Sequence, residues 1–135
     1  MNVKISSVNA ADINGGCLVG YIEDIDPNKL VKMLGHPKCL IDIAYKSDWE
    51  WVIDFDNGDQ LYIYDWKIGK NYRGSSGLNF EEITTWNIGG SNETLARQLS
   101  SFLKSKEWSS FDDIRMKLFM TEEYIETIKN NNRGL

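Results

Sequence analysis

The sequence contains few of the residues from which catalytic and metal sites are usually built. Its 135 residues include one histidine, two cysteines and two prolines. His36 alone is a poor basis for a catalytic triad, which needs both a base and a second group that orients it. Cys17 and Cys39 lack the closely spaced Cys or His partners of zinc sites. We therefore predict no catalytic residue, no metal site and no cofactor, although an enzyme is not excluded.

The chain also lacks a surplus of positive charge and any long apolar run. Lys and Arg total 15 against 20 Asp and Glu, which gives a formal net charge of -5. Binding along DNA or RNA needs many cations to neutralise phosphates, so long nucleic acid is not an expected partner. One small anion, such as a nucleotide, needs only a few cations. Without a membrane-length segment or a secretory signal, we expect no membrane partner and a cytoplasmic location.

What is present indicates an ordinary globular protein. Hydrophobic residues make up 41% and charged residues 26% of the chain, and the length fits one domain, residues 1–135. The patterns predict a sheet region over 1–90 with a short helix at 27–35, followed by C-terminal helices over 91–130. The fold class is thus α+β: an antiparallel sheet of about five strands around a Trp-rich hairpin, packed by two C-terminal helices.

The predicted elements rest on alternation and on turn and cap residues. Asp26-Pro27 is typical of a helix start, and Leu95, Leu99 and Leu103 recur at helical spacing after Gly89-Gly90. A last helix begins near residue 109. The strands are predicted at residues 16–24, 39–45, 49–56, 59–66 and 82–88.

The central hairpin turns at Asn57-Gly58, and its register has two solutions. A two-residue type I′ turn pairs Trp51 with Tyr64 and builds a ladder of aromatic residues on one face. A type I turn with a glycine bulge shifts the pairing by one residue, so that Trp51 faces Ile63. Both registers remain open from the sequence.

Acidic residues give the hairpin a second possible use. In the type I′ register Glu50 lies directly opposite Asp65, and two opposed carboxylates need a lysine, a shared proton, a metal or a ligand to relieve their repulsion. We predict an acidic face formed by Glu50, Asp54 and Asp65. The alternative is that these carboxylates only prevent edge-to-edge pairing of the sheet.

Positive charge is concentrated just after the hairpin, in KIGKNYRGSSG at residues 67–77. This segment is predicted to be a flexible loop, and the helix start after Gly89-Gly90 offers free N–H groups to an anion. An ordinary helix cap is the alternative interpretation of the glycine pair. If the two segments meet, aromatic residues stack a base while cations and N–H groups bind phosphate. The predicted ligand-binding residues are Lys67, Lys70, Tyr72, Arg73, Trp86, Gly90, Ser91 and Asn92.

A resemblance to known proteins lies between Trp49 and Gly90, in the segments WVIDFDNG, IYDWK and WNIGG. They are similar to a W-x-I-x-F-x-D-G, I-Y-D-W-K, W-x-I-G-G pattern of small accessory proteins of phages and large DNA viruses, although Asn57 replaces the pattern's Asp. Most of those proteins have no assigned activity. The resemblance implies a viral accessory protein in the cytoplasm of a host cell.

Three functions follow as hypotheses. The first is a viral protein that counters host immune defence by binding and sequestering a small nucleotide signal, without catalysis. Thoeris-type anti-defence signal sponges are the class of protein with which this hypothesis compares it. The second is an acidic inhibitor, of the anti-CRISPR or toxin-immunity type, that blocks a partner protein. The third is a metal-dependent phosphodiesterase that uses the acidic residues as ligands. A homo-oligomer, most simply a dimer, is expected because many apolar side chains occur in a short chain.

Overall fold

A computed structural model describes residues 3–6, 10, 16–40 and 46–105. Six strands alternate with three α-helices and two short 3-10 turns in this part of the chain. The strands are β1 (Val3–Ile5), β2 (Cys17–Ile22), β3 (Lys38–Cys39), β4 (Trp49–Phe55), β5 (Gln60–Tyr64) and β6 (Trp86–Gly90). The helices are α1 (Pro27–Leu34), α2 (Lys70–Arg73) and α3 (Glu93–Lys104), and the 3-10 turns are Gly74–Ser76 and Phe80–Glu82.

The strands form one antiparallel sheet in the order β1-β4-β5-β6-β2. The two-residue strand β3 shares an edge of β4 with β1, since β1 pairs with residues 53–55 and β3 with residues 49–50. The predicted α+β class with an antiparallel sheet around a Trp-rich hairpin is therefore confirmed. Of the two predicted C-terminal helices, α3 is present, and the second lies outside the described residues.

The hairpin adopts the bulged register. Trp51 pairs with Ile63 and Glu50 with Tyr64. The Gly58 N–H donates to the Phe55 carbonyl at 3.0 Å, the Phe55 N–H donates to the Asp59 carbonyl at 2.9 Å, and Gly58 has φ +93°. This is a type I turn followed by a left-handed glycine, which adds one residue to the loop and shifts every pair. The type I′ alternative, and with it the opposed pair Glu50 and Asp65, is wrong.

Both longer helices begin at the predicted caps. The Asp26 carboxylate accepts from the Asn28 N–H ahead of α1, and the Asn92 side chain accepts from the Leu95 N–H ahead of α3. Each helix is amphipathic and buries its apolar side on the same face of the sheet. The buried helical residues, Leu30, Met33, Leu34, Leu95, Ala96, Leu99 and Leu103, join the strand residues in one hydrophobic cluster.

Close contacts fasten the two helices to the sheet and to each other. A Cβ on Gly20 of β2 would lie 3.6 Å from the Ala96 Cβ, so α3 packs directly against this strand. The Trp51 indole N–H donates to the Gly35 carbonyl at 2.9 Å, just after α1. Lys29 of α1 donates to the Ser105 carbonyl after α3 at 2.7 Å. The two helices therefore cover one face of the sheet, called the core face below, and the opposite face is called the outer face.

Two predicted segments differ from the structure, and a third lies mostly outside the described residues. The strand predicted at 82–88 begins only at Trp86, because Phe80–Glu82 forms a 3-10 turn closed by a capping box between Asn79 and Glu82. The predicted loop at 67–77 is folded into α2 and the turn Gly74–Ser76. The strand predicted at 39–45 lies mostly outside the described residues. None of the described helices is long and apolar enough to cross a membrane.

Candidate functional site

The bulged register separates the aromatic residues of the hairpin onto two faces of the sheet. Trp51 lies on the core face, where its ring is 5.2 Å from that of Trp86. Tyr62, Tyr64 and Trp66 alternate onto the outer face, with ring centroids 5.4 Å and 6.1 Å apart along the row. The structure therefore contains two aromatic clusters instead of the predicted single ladder. The cluster around Trp51 is in the core, and the cluster of Tyr62, Tyr64 and Trp66 is on the outer face.

The outer row forms the floor of a cleft, which we call the aromatic cleft. It has a volume of about 340 Å³, near the lower end of the range of about 300 to 1,000 Å³ for small-molecule sites. One wall comes from β2 and the residues before it, and another from the segment that leads into β4. The lining residues are Ala10, Gly16, Cys17, Leu18, Leu40, Lys46, Ser47, Glu50, Tyr62, Tyr64 and Trp66.

Positive charge lies at the Trp66 end of the aromatic cleft. The ammonium groups of Lys46 and Lys67 are each 5.5 Å from the centroid of the Trp66 ring, and Lys67 is also 5.4 Å from that of Tyr72. Cations at this distance are attracted by the ring face. Trp66 is 45% exposed and Tyr72 is 52% exposed. An aromatic surface with two adjacent cations is thus open to solvent.

The backbone of Lys67 is held in an unusual conformation. Its φ is +61°, which is uncommon for a residue other than glycine. Its N–H donates to the Lys46 carbonyl at 2.7 Å, and its carbonyl accepts from the Arg73 Nε at 2.8 Å. These bonds couple the two cleft lysines through the main chain and give Arg73 a bracing role at this site.

Two carboxyl groups, the buried Asp65 and the half-buried Asp48, anchor this end of the cleft. Asp65 is completely buried on the core face, and its side chain accepts from the N–H groups of Asp48 and Trp49 at 2.8 to 3.1 Å. Asp48 in turn accepts from the N–H groups of Lys70 and Asn71 at 2.7 Å, at the start of α2. The Asn71 side chain donates to the Ser47 carbonyl at 2.8 Å. Together these bonds hold α2 against the segment that carries Lys46.

Burial raises the pKa of Asp65 to about 6, and the neighbouring Asp48 carboxylate adds to this rise, while the N–H donors of Trp49 and Asp48 oppose it. Burial also raises the pKa of Tyr62 and Tyr64. The two phenols therefore stay protonated at neutral pH, and each can donate a hydrogen bond within the cleft.

Tyr62 depends on a glycine in the neighbouring strand. A Cβ on Gly89 would lie 2.1 Å from the Tyr62 Cε2, so the ring rests directly on the backbone of β6. Tyr62 and Gly89 are cross-strand partners. Gly89, the first residue of the glycine pair that suggested an anion site, thus has a different role, which is to make room for the cleft floor.

We expect Gly89→Ala to force the Tyr62 ring out of place and to lower the free energy of unfolding by about 1 to 3 kcal/mol. Urea denaturation measures this loss. Gly20→Ala is the matched control in strand β2, because its new Cβ would sit at the ordinary distance of 3.6 Å from Ala96. Equal stability of the two variants would contradict the packing role of Gly89.

The structure divides the predicted ligand-binding residues into two groups. Lys67, Lys70, Tyr72 and Arg73 lie around α2, beyond the Tyr64 end of β5. The other group, Gly90, Ser91 and Asn92, lies near Leu61, which pairs with Gly90 at the opposite end of that strand. Trp86 belongs to neither group, because it is buried at the start of β6, next to Asn87, which pairs with Tyr64. Leu61 and Tyr64 are three residues apart in β5, which at roughly 3.3 Å per residue is about 10 Å. The predicted ligand-binding residues therefore do not lie together in one cluster.

The helix start after the glycine pair also has little to offer an anion. Gly90 is buried, and a Cβ there would lie 2.7 Å from the Leu61 Cδ2. The Asn92 side chain caps α3 and donates to the Asp59 carboxylate at 2.9 Å, while Ser91 is exposed. The ordinary cap was the correct alternative. Trp86 is fully buried and cannot stack a ligand at the surface.

The predicted acidic face is likewise not assembled. Asp65 points to the core side and is completely buried, whereas Glu50 lies on the outer side and is 5% exposed. Asp54 is half-buried and accepts from the Gln60 side chain at 2.6 Å. In residues 3–6, 10, 16–40 and 46–105, no group of three or more His, Cys, Asp or Glu side chains lies together as a candidate metal site.

The sequence analysis placed the aromatic residues of β5 on one face of the hairpin but did not include the cleft floor in the ligand-binding site. Tyr62, Tyr64 and Trp66 alternate with Leu61, Ile63 and Asp65, and this period of two is the signal from which an aromatic outer row could have been predicted. Lys46 carried no such signal in the sequence, because it lies 20 residues before Trp66 and comes close to that ring only in the tertiary structure.

No protein-family model matches the chain, and a comparison with curated proteins gave no significant match. The functional interpretation therefore rests on the geometry of the aromatic cleft.

Proposed function

We propose that the protein binds and sequesters a small nucleotide in the aromatic cleft, without catalysis. The observation that carries this proposal is a row of three aromatic side chains in a cleft of about 340 Å³, with Lys46 in the cleft lining and Lys67 beside Trp66. Bases stack on aromatic rings whatever their sequence, and lysines neutralise phosphate. The proposal keeps the predicted ligand class and Lys67, and moves the site from the start of α3 to the outer face.

The biological setting is part of the same proposal. We infer a viral accessory protein that removes a nucleotide signal used in host defence, and the support for this setting is the sequence resemblance between Trp49 and Gly90. A protein that only sequesters its ligand needs no nucleophile, base or metal. The acidic inhibitor receives less support, because Asp65, one of the acidic residues that would face the partner, is completely buried.

The decisive ligand-binding variant is Trp66→Ala. We expect it to weaken nucleotide binding about tenfold or more, because an aromatic stack contributes about 1 to 3 kcal/mol per base. Isothermal titration calorimetry should use nucleoside monophosphates, cyclic mono-, di- and trinucleotides, cyclic ADP-ribose isomers and NAD. Ile5→Ala is the control, since Ile5 is an apolar residue that is 37% exposed but does not line the cleft.

A second pair of variants locates the phosphate. Lys46→Ala should weaken binding and reduce its salt dependence, whereas Lys70→Ala, which belongs to the sequence-predicted site but does not line the cleft, should have little effect. If no nucleotide in the panel binds the natural protein, the proposed function is wrong.

A dimer is also proposed. Leu18 and Tyr21 are 47% and 49% exposed on β2, the last strand of the described sheet. An open strand edge with exposed apolar side chains is a common site of self-association. Light scattering at tens of micromolar should give twice the mass of the chain for the natural protein and a smaller mass for Tyr21→Lys. A monomeric natural protein would contradict this expectation.

A further inference from the structure

Glu50 is a buried carboxyl group in the wall of the aromatic cleft. It is the second residue of β4, pairs with Tyr64 in the neighbouring strand and is 5% exposed. The Ala10 N–H points between its two oxygens, at 3.3 Å and 3.5 Å. A carboxylate has about four lone-pair positions, so it can accept hydrogen bonds from a ligand in addition to those within the protein.

We propose that the cleft selects a guanine base, with Glu50 as the specificity-determining residue. This inference rests on the proposed function, since it concerns which nucleotide the same cleft binds. A carboxylate binds best to two adjacent donors that point the same way, as in its bidentate pairs with arginine. Guanine alone among the common bases has such a pair on one edge, the ring N1–H and the 2-amino group.

The other bases fit this carboxylate less well. Adenine and cytosine place an amino donor next to a ring nitrogen whose lone pair would face the second carboxylate oxygen. Uracil has one N–H between two carbonyl oxygens, which would also face the carboxylate. Burying a polar group opposite a like partner weakens binding by about fivefold to a hundredfold, which is enough to discriminate between bases.

The positions along the floor agree with a single nucleotide. Glu50 lies level with Tyr64, and Trp66 follows two residues later on the same face, which is about 7 Å further along the strand. A base lying over the tyrosines can present its edge to Glu50 while its phosphate reaches toward Lys46 and Lys67, which flank Trp66. The carboxyl group and the cations thus contact opposite ends of the ligand.

The test is calorimetry of the natural protein and Glu50→Gln with GMP, IMP, AMP and CMP. GMP should bind the natural protein most tightly, IMP about fivefold to tenfold more weakly because it lacks the 2-amino group, and AMP and CMP more weakly still. Glutamine presents one acceptor and one donor, which suits the amino group and ring nitrogen of adenine. Glu50→Gln should therefore reverse the order, with AMP above GMP.

Lys46→Ala is the companion variant, because it should weaken all four nucleotides by a similar factor and leave their order unchanged. If Glu50→Gln fails to fold, the order of the four nucleotides on the natural protein and on Lys46→Ala still tests the inference. Nucleotides that bind the natural protein equally, or with AMP above GMP, would overturn the guanine inference and leave the proposed function standing. Absence of binding by every nucleotide would overturn both.

Discussion

Trp86→Ala is expected to lower the free energy of unfolding by about 3 to 5 kcal/mol, the usual cost of truncating a fully buried large aromatic residue. Trp86 has no exposed surface, and its ring lies 5.2 Å from Trp51 and 5.8 Å from Phe80. Truncation removes both ring contacts and the hydrogen bond from the indole N–H to the Ile83 carbonyl at 3.2 Å. Guanidinium denaturation followed by tryptophan fluorescence and circular dichroism measures the loss.

The matched control for this effect is Trp66→Ala. Trp66 is 45% exposed on the outer face, so its truncation should change stability by less than about 1 kcal/mol. The pair separates structural from ligand-binding tryptophans, because Trp66→Ala should weaken nucleotide binding and leave the fold stable. A stable Trp86→Ala protein that had lost its ligand would restore the sequence-based assignment of Trp86 to the binding site.

Asp65→Asn is expected to raise the free energy of unfolding relative to the natural protein, and this gain should be larger at neutral pH than at acid pH. The folded-state pKa of about 6 is raised above the usual 3.8, so the stability linked to the protonated carboxyl is fully present below pH 3.8 and is lost as the pH rises through 6. Ionisation of this buried group then costs about 3 kcal/mol, at 1.36 kcal/mol per pKa unit. Asparagine does not titrate, and its oxygen can still accept from the Trp49 N–H.

The measurement is urea denaturation of both proteins at pH 4.5 and pH 7.5. The stability of Asp65→Asn minus that of the natural protein should increase by about 2 kcal/mol between these pH values, as linkage requires for this pKa shift. Glu81→Gln is the control, because it removes an exposed carboxylate from the 3-10 turn Phe80–Glu82. A difference that does not change with pH would mean that Asp65 has an ordinary pKa.

The anchoring role of Asp65 links this pH effect to the cleft. Its hydrogen bonds fix the backbone of Asp48, whose side chain holds the start of α2. A second negative charge next to Asp48 would strain this arrangement above pH 6, because like charges at short distance repel. Lys46 and Lys67 lie on either side of this anchor in sequence, and their main chains are bonded to each other.

Short-range chemistry in the sequence was sufficient for much of the fold. Asp26-Pro27 predicted the start of α1, and the spacing of Leu95, Leu99 and Leu103 predicted α3, because caps and helical periodicity act within a few residues. Asn57-Gly58 predicted the hairpin turn for the same reason. These features place each element, and the alternation of apolar residues predicts that the strands build an antiparallel sheet with helices on one side.

The register of the hairpin was decided only in the folded protein. Asn57-Gly58 is compatible with both turn types, and a shift of one residue moves every side chain to the other face. In the bulged register Trp51, Ile53, Leu61 and Ile63 all point to the core, which buries more apolar surface. The same choice sends Tyr62, Tyr64 and Trp66 to the outer face and buries Asp65.

The composition of the candidate site depended on long-range pairing. Insertion of β6 between β5 and β2 places Gly89 beneath Tyr62 and sets the start of α3 at the far end of the strand from Lys67. Lys46 lies next to Trp66 because its carbonyl accepts from the Lys67 N–H across a gap of many residues.

The sequence by itself determined which elements form and that cations and aromatic residues are available. Only the tertiary structure decided which of them share a cleft, because contacts between distant residues depend on strand order and register rather than on local propensity.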